Sequence, residues 1–321
     1  MKNSKTTLLY LNVEIPKKMS KYILRKGDKG VWVAKCQRHL NEKGYSTSVD
    51  ADFGPSTEQK IKDFQKDNKL QPDGIVGKNT WKPLLELPNY CTDIEQKYII
   101  HNGNKWPINW DRVVLWNEPG GLKSDRGCYW DFSSKSERKP KMFVNHWDVC
   151  LSSEDCANVL NRRKVSVHFC IDNDGTIYQI LDTQHGAWHA SLNKANKESI
   201  GVEISNAYYL KYQKEYVKQG LSERPIQENG LVHGRVLKRF TWFYDAQIKA
   251  LKALWGAIHE QHNIPLDFPK DHNGEFCTTV HEDCKLGVFE GFCNHYNMTN
   301  RKIDCAGLDL PSMLLDLKKF K

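Results

Sequence analysis

A mixed-sheet α/β domain preceded by a small three-helix unit is the fold this 321-residue sequence predicts. Three observations carry that expectation. Residues 24–88 hold an internal repeat of loop-to-helix corners. From residue 141 onward, apolar strand-like runs alternate with helical periodicity, the pattern of a strand–helix layered domain. The segment SVHFCIDNDGTIYQIL has the alternation and the turn dipeptide of a hairpin around Asp174 and Gly175.

The elements follow in order. Val31, Val33, Cys36, Gln37 and Leu40 fall on helical spacing, and Gly44 stops the run. Asp50, Gly54 and Thr57 in DADFGPST recur at the same spacing as Asp73, Gly77 and Thr80 in DGIVGKNT. Each copy places a glycine turn before a Ser/Thr at a helix start. Ile61, Phe64 and Gln65 lie on the helix between them. Pro88, in Leu87-Pro88-Asn89, makes continuation of the last helix unfavourable. The domains are therefore set at 24–88 and 89–321. Between 90 and 140 the runs KYII and RVVLW read as first strands, and SSKSERKPK as a surface loop. MFVNHW then reads as a strand, EDCANVLNRR as a helix and SIGVEIS as a strand. DAQIKALKALWGAIHEQHN is a long amphipathic helix with Ile248, Leu251, Leu254, Trp255 and Ile258 on one face.

Composition narrows the class. Hydrophobic content of 39% with 27% charged residues is that of a globular protein. No run approaches the roughly 18 apolar residues of a membrane span. The net charge of +8 points to an acidic partner, whether nucleic acid, membrane surface or anionic wall, but no run of like charge and no nucleic-acid motif accompanies it. The opening MKNSKTTLLYLNVEIPKK has only a short apolar run and no small-residue cleavage site, so no export signal is expected. Ten cysteines without a CxxC pair suit reduced, buried thiols better than a disulfide scaffold or a cysteine-only zinc site.

Three pieces carry the chemistry: MFVNHWD with His146, SIGVEISN with Glu203, and NHYNMTNRKID with His295, Lys302 and Asp304. Two histidines and a further oxygen or sulfur donor, Asp304 or the adjoining Cys305, are the donor types of a catalytic zinc, which needs three protein ligands and an open fourth position. His101 also ends an apolar run. His168 alternates with core positions and reads as structural, while His259 and His262 read as surface residues. His272 and His281 lie in a cysteine-bearing loop, for which a second metal is the minority reading.

The N-terminal stretch resembles the peptidoglycan-binding domain of cell-wall hydrolases, through KGDKG, CQRHL, Gly44-Tyr45, FG..T, Phe64-Gln65 and DGIVG..TW ending at Trp81. Its turn and core positions identify the domain; Tyr45 and Trp81 are candidate glycan contacts. The larger part resembles the type 2 N-acetylmuramoyl-L-alanine amidases, through the strand ending at His146, SVHFCIDNDGTIYQ, the AWHAS segment with Trp188 and His189, SIGVE, and the terminal His…RKID. That resemblance implies a Zn2+ enzyme acting on peptidoglycan, with His146 and His295 as ligands, Glu203 as general base and proton shuttle, and Lys302 holding the oxyanion. It prefers His146 to His101, because the helix and hairpin it implies after the first ligand follow His146. It favours Asp304 over Cys305 as third ligand, because Lys302 stands two residues before it; Trp188 and His189 read as substrate-side residues, with a buried structural role the alternative for His189. With no export signal expected, the reading is a phage-type endolysin, made in a host cytoplasm and reaching the wall after release. The alternatives are a non-catalytic peptidoglycan-binding protein on the same fold, and a virion-associated or effector amidase.

Overall fold

The computed structural model describes residues 23–85, 96–190, 192–219 and 221–319. The leader-like opening, Cys91 and the boundary at Leu87-Pro88-Asn89 lie outside the described residues.

Three helices, Val31–Glu42, Pro55–Asp67 and Lys78–Leu85, form the N-terminal unit. The internal repeat is a repeated hydrogen-bond device. The Gln37 amide donates to Asp50 Oδ1 (2.7 Å), the Asp52 carbonyl (3.0 Å) and Thr57 Oγ1 (3.0 Å). The Gln65 amide donates to Asp73 Oδ1 (2.8 Å), the Ile75 carbonyl (2.9 Å) and Thr80 Oγ1 (3.0 Å). Both glutamines are buried, so each corner needs its full set of partners to offset the cost of burying an amide. Val33, Leu40, Phe53, Ile61, Phe64, Val76 and Trp81 fill the core between the helices. Trp81 is only 1% exposed, which removes it as a glycan contact. Tyr45 stays partly exposed, with its hydroxyl donating to Asp67 Oδ2 at 2.7 Å.

The second domain is built on a six-stranded mixed sheet. Its strands lie side by side in the order Gly291–Asn294, Met142–Trp147, Ser199–Ile204, Phe169–Ile171, Ile177–Gln179 and Val113–Leu115. The first four are mutually parallel, and the reversal comes at the predicted hairpin, where Phe169–Ile171 meets Ile177–Gln179 antiparallel. Along Met142–Trp147 the side chains alternate. Phe143 and Trp147 join the cluster that includes Leu251, Leu254, Trp255 and Ile258 of the helix Asp245–His262, while Met142 and Val144 pack with Ala190, Ala195 and Met298. The predicted helix face is thus the one that covers the sheet. His262 departs from its surface reading, because its ring packs edge-on against buried His101 at 4.6 Å between centroids. His259 Nδ1 hydrogen bonds to the Ile264 carbonyl at 2.7 Å. The nine described cysteines are all free.

The two domains touch. Lys35 of the first helix makes a buried ion pair with Asp174 in the hairpin turn, Arg38 donates to the Pro119 carbonyl, and Trp32 and Tyr45 pack against a cluster that also holds Tyr216, Leu221 and Tyr244.

Candidate metal centre

Three neighbouring parallel strands deliver the site to one edge of the sheet. His146 and Glu203 are direct register partners on Met142–Trp147 and Ser199–Ile204, and His295 follows the strand Gly291–Asn294 on the other side of His146. Carboxyl ends of parallel strands are where open α/β sheets bind ligands, because the chain leaves the sheet there and opens a crevice.

His146 Nδ1 lies 2.8 Å from His295 Nδ1, His295 Nδ1 lies 2.9 Å from Asp304 Oδ2, and His146 Nδ1 lies 3.4 Å from the same oxygen. Among the described residues this is the cluster of donor atoms that can hold a metal ion. The set fits one. Ligand bonds of about 2.0–2.2 Å in a tetrahedral site put donor atoms about 3.3 Å apart, and these separations bracket that value. Burial and neighbouring His295 push the His146 imidazole down to about 4, so it is neutral and keeps a lone pair to donate. Burial raises the Asp304 carboxyl, but neighbouring His295 outweighs it and holds Asp304 below the usual carboxylate range. Cys305 is fully buried, with its thiol pushed far up by desolvation, and it joins no donor cluster. His272 and His281 join none either among the described residues.

His189 lines the groove and also braces a donor histidine. Its Nδ1 lies 3.0 Å from His146 Nε2, and its Nε2 lies 3.2 Å from Ser199 Oγ, which donates to the Ala195 carbonyl at 2.6 Å. With His146 Nδ1 turned to the donor cluster, the proton must be on His146 Nε2. The chain then runs one way, from His146 to His189, to Ser199, to a backbone carbonyl, and it fixes the tautomer and angle of a ligand imidazole. Gly201 makes room for it, because a Cβ there would meet His189 Cε1 and Nδ1 at 2.7 Å. We therefore expect Gly201→Ala, or His189→Ala, to lower metal affinity by about 10–100-fold with the fold retained, read by competition with a chromogenic chelator.

Glu203 faces the same crevice. Burial pushes its carboxyl well up, with Asp148 and Asp304 adding to the effect, and its Oε2 has no hydrogen-bond partner. The donor cluster opens on a groove of about 510 Å³ whose lining includes Glu203, Lys302, Trp130, Trp188 and His189. The Lys302 side chain is exposed, and its backbone carbonyl meets His233 Nε2 at 2.8 Å. Sequence reasoning missed His233 and Trp130. Trp130 stands edge-on to Trp188 with ring centroids 5.6 Å apart, and no periodicity or motif marks Trp130 or His233. His168 has the structural role expected of it: its Nδ1 accepts from the Gly201 amide at 3.1 Å.

A mixed sheet that gathers two histidines and an aspartate able to hold a metal ion, beside a half-buried glutamate whose Oε2 has no hydrogen-bond partner, is the architecture of a hydrolase. A family model described as N-acetylmuramoyl-L-alanine amidase matches residues 136–304, and one described as a putative peptidoglycan-binding domain matches residues 30–84. The first match spans more than half of the chain, and the chain belongs to the N-acetylmuramoyl-L-alanine amidase family. Among solved structures, a peptidoglycan-binding protein from Clostridioides difficile is 38% identical over 20% of this chain and 40% of its own length, with a TM-score of 0.20. The endolysin N-acetylmuramoyl-L-alanine amidase LysCS from Clostridium intestinale is 14% identical, covering 64% of this chain and 95% of its own, with a TM-score of 0.37. An AmpD derivative is 16% identical, covering 64% and 93%, with a TM-score of 0.34.

Proposed function

We propose that the protein is a zinc-dependent peptidoglycan hydrolase that cleaves the amide between the lactyl group of N-acetylmuramic acid and L-alanine. The observation that carries this reading is the convergence of His146, His295 and Asp304 beside Glu203 in one groove. The nitrogen and carboxylate donors suit Zn2+, whose Lewis acidity activates water and polarises an amide carbonyl at neutral pH.

The chain's own residues supply the rest. Glu203, with its high-lying carboxyl and unpaired Oε2, takes a proton from the attacking water and returns it to the amide nitrogen as the C–N bond breaks, so no net proton is lost. The Lys302 ammonium, on the groove wall, opposes the negative charge that develops on the carbonyl oxygen. His189 keeps His146 in its donating tautomer. The N-terminal unit holds the protein on the wall. The resemblance to endolysins supports a phage-type role, in which the chain is made in a host cytoplasm and meets the wall after release.

Digestion of purified peptidoglycan, with the released ends read by mass spectrometry, tests the reading. New L-alanine amino termini should appear, vanish with a chelator and return on adding Zn2+. Binding to the wall with no new ends would overturn it and leave a peptidoglycan-binding protein.

A further inference from the structure

The segment just after the Glu203 strand carries an unusual density of aromatic rings, NAYYLKY, which the metal centre does not use. Trp147, next in the chain after His146, is buried, and Tyr208 stacks on it with ring centroids 5.2 Å apart and planes 14° from parallel. Tyr209 continues the pile 4.1 Å from Tyr208, and Tyr212 stands 6.3 Å from Tyr209. The stack thus runs from the core to the surface, where Tyr209 is 47% exposed and its neighbour Leu210 37% exposed. Lys211 lies over both outer rings, 5.2 Å from Tyr209 and 5.0 Å from Tyr212. Scattered exposed apolar residues need no explanation, but a cation over two contiguous rings that continue a buried stack is a built surface.

Its two ends identify what it can bind. At one end the stack stands on Trp147, the residue that follows the donor His146 in the chain. At the other, Tyr212 packs against the cluster that contains the core of the N-terminal unit. The rings offer apolar faces with hydroxyl rims, which match the C–H face and hydroxyl edge of a pyranose. The Lys211 ammonium suits the carboxylates of stem peptides along a wall strand.

We infer that Tyr209, Tyr212 and Lys211 form a sugar-stacking subsite for the glycan strand of peptidoglycan, between the metal centre and the N-terminal unit. The inference rests on the amidase reading for its substrate. The stack is held from below by Trp147 and Tyr208, so little ordering is lost when a sugar settles on it.

The test compares KM for polymeric peptidoglycan with KM for muramyl dipeptide, which has the scissile bond but no neighbouring sugar, in full-length Tyr209→Ala and Tyr209→Trp. The expected result is a ratio of polymer to dipeptide KM raised roughly three- to tenfold by Tyr209→Ala and restored by Tyr209→Trp. An unchanged ratio, or Tyr209→Trp behaving as Tyr209→Ala, overturns the inference. If the wild type cleaves neither substrate, the amidase reading fails, and titration with tetra-N-acetylglucosamine decides the subsite. Shifts of tyrosine ring protons that disappear in Tyr209→Ala sustain it, and shifts that persist there overturn it.

Discussion

Glu203→Gln should reduce turnover on peptidoglycan by about 10²–10⁴-fold without lowering the melting temperature of the metal-free protein. The two effects separate because Glu203 is costly to the fold. Its carboxyl is raised by burial, with no partner for Oε2. A carboxyl raised in the folded state stays protonated where the unfolded chain has already ionised. Its stabilising balance is therefore complete below the unfolded value of about 4.3 and is lost as pH climbs towards the folded value. The neutral glutamine does not titrate, so at pH 7 the metal-free variant should melt at the same temperature or higher, the exchange of stability for activity expected at a catalytic position. Differential scanning calorimetry in chelator, beside the digestion assay, checks both halves. A variant that keeps turnover would remove Glu203 from the mechanism.

Lys35→Ala should be the most damaging single change outside the groove. It strips the partner from Asp174, which is buried at the contact between the domains with its side chain only 7% exposed. Leaving one member of a buried pair uncompensated costs about 3–5 kcal/mol, and the loss here should fall toward the lower end because the Arg112 charge and the Thr176 amide still act on Asp174. Burial alone would raise the Asp174 carboxyl, but Lys35 and Arg112 hold it below the usual range. A depressed carboxyl contributes stability that is complete above the unfolded value of about 3.9 and is lost as pH falls through the lower folded value. Wild type should therefore undock in acid, and Lys35→Ala should already be undocked at neutral pH. Limited proteolysis between residues 85 and 97, with urea unfolding of both proteins, reads this. The double variant Lys35→Met with Asp174→Asn should recover part of the loss, because no buried charge remains.

Much of this molecule was legible because its signals are local. The repeated Asp…Gly…Thr spacing announces two equivalent corners, and the structure supplies the reason, a buried glutamine satisfied by each loop. Alternation located the strands, and the Asp174–Gly175 dipeptide located the hairpin. His146 and Glu203 stood out as candidates because each lies in an apolar run, whereas Asp304 was singled out over Cys305 only through the family resemblance; the structure brings His146, His295 and Asp304 together. What stayed hidden depends on contacts between distant segments. Nothing near His189 says that its ring reaches across Gly201 to His146. Nothing near His233 says that it will meet the Lys302 carbonyl. Trp81 shows the converse difficulty: an aromatic residue beside a turn suits a sugar contact and a core plug equally well, and only packing separates them.

The contact at Lys35 changes what it means for this protein to be anchored. A module on a loose string raises the local concentration of every bond within the string's sweep, by an amount set by linker length. Here the helix that carries Lys35 and Arg38 is clamped to the hairpin and to the loop at Pro119. Under the proposed function, the gripping point and the cutting point then keep one fixed offset, like the two legs of a locked compass. Such a protein would score the wall at a set distance from wherever it lands, and would have to let go before it could cut again elsewhere.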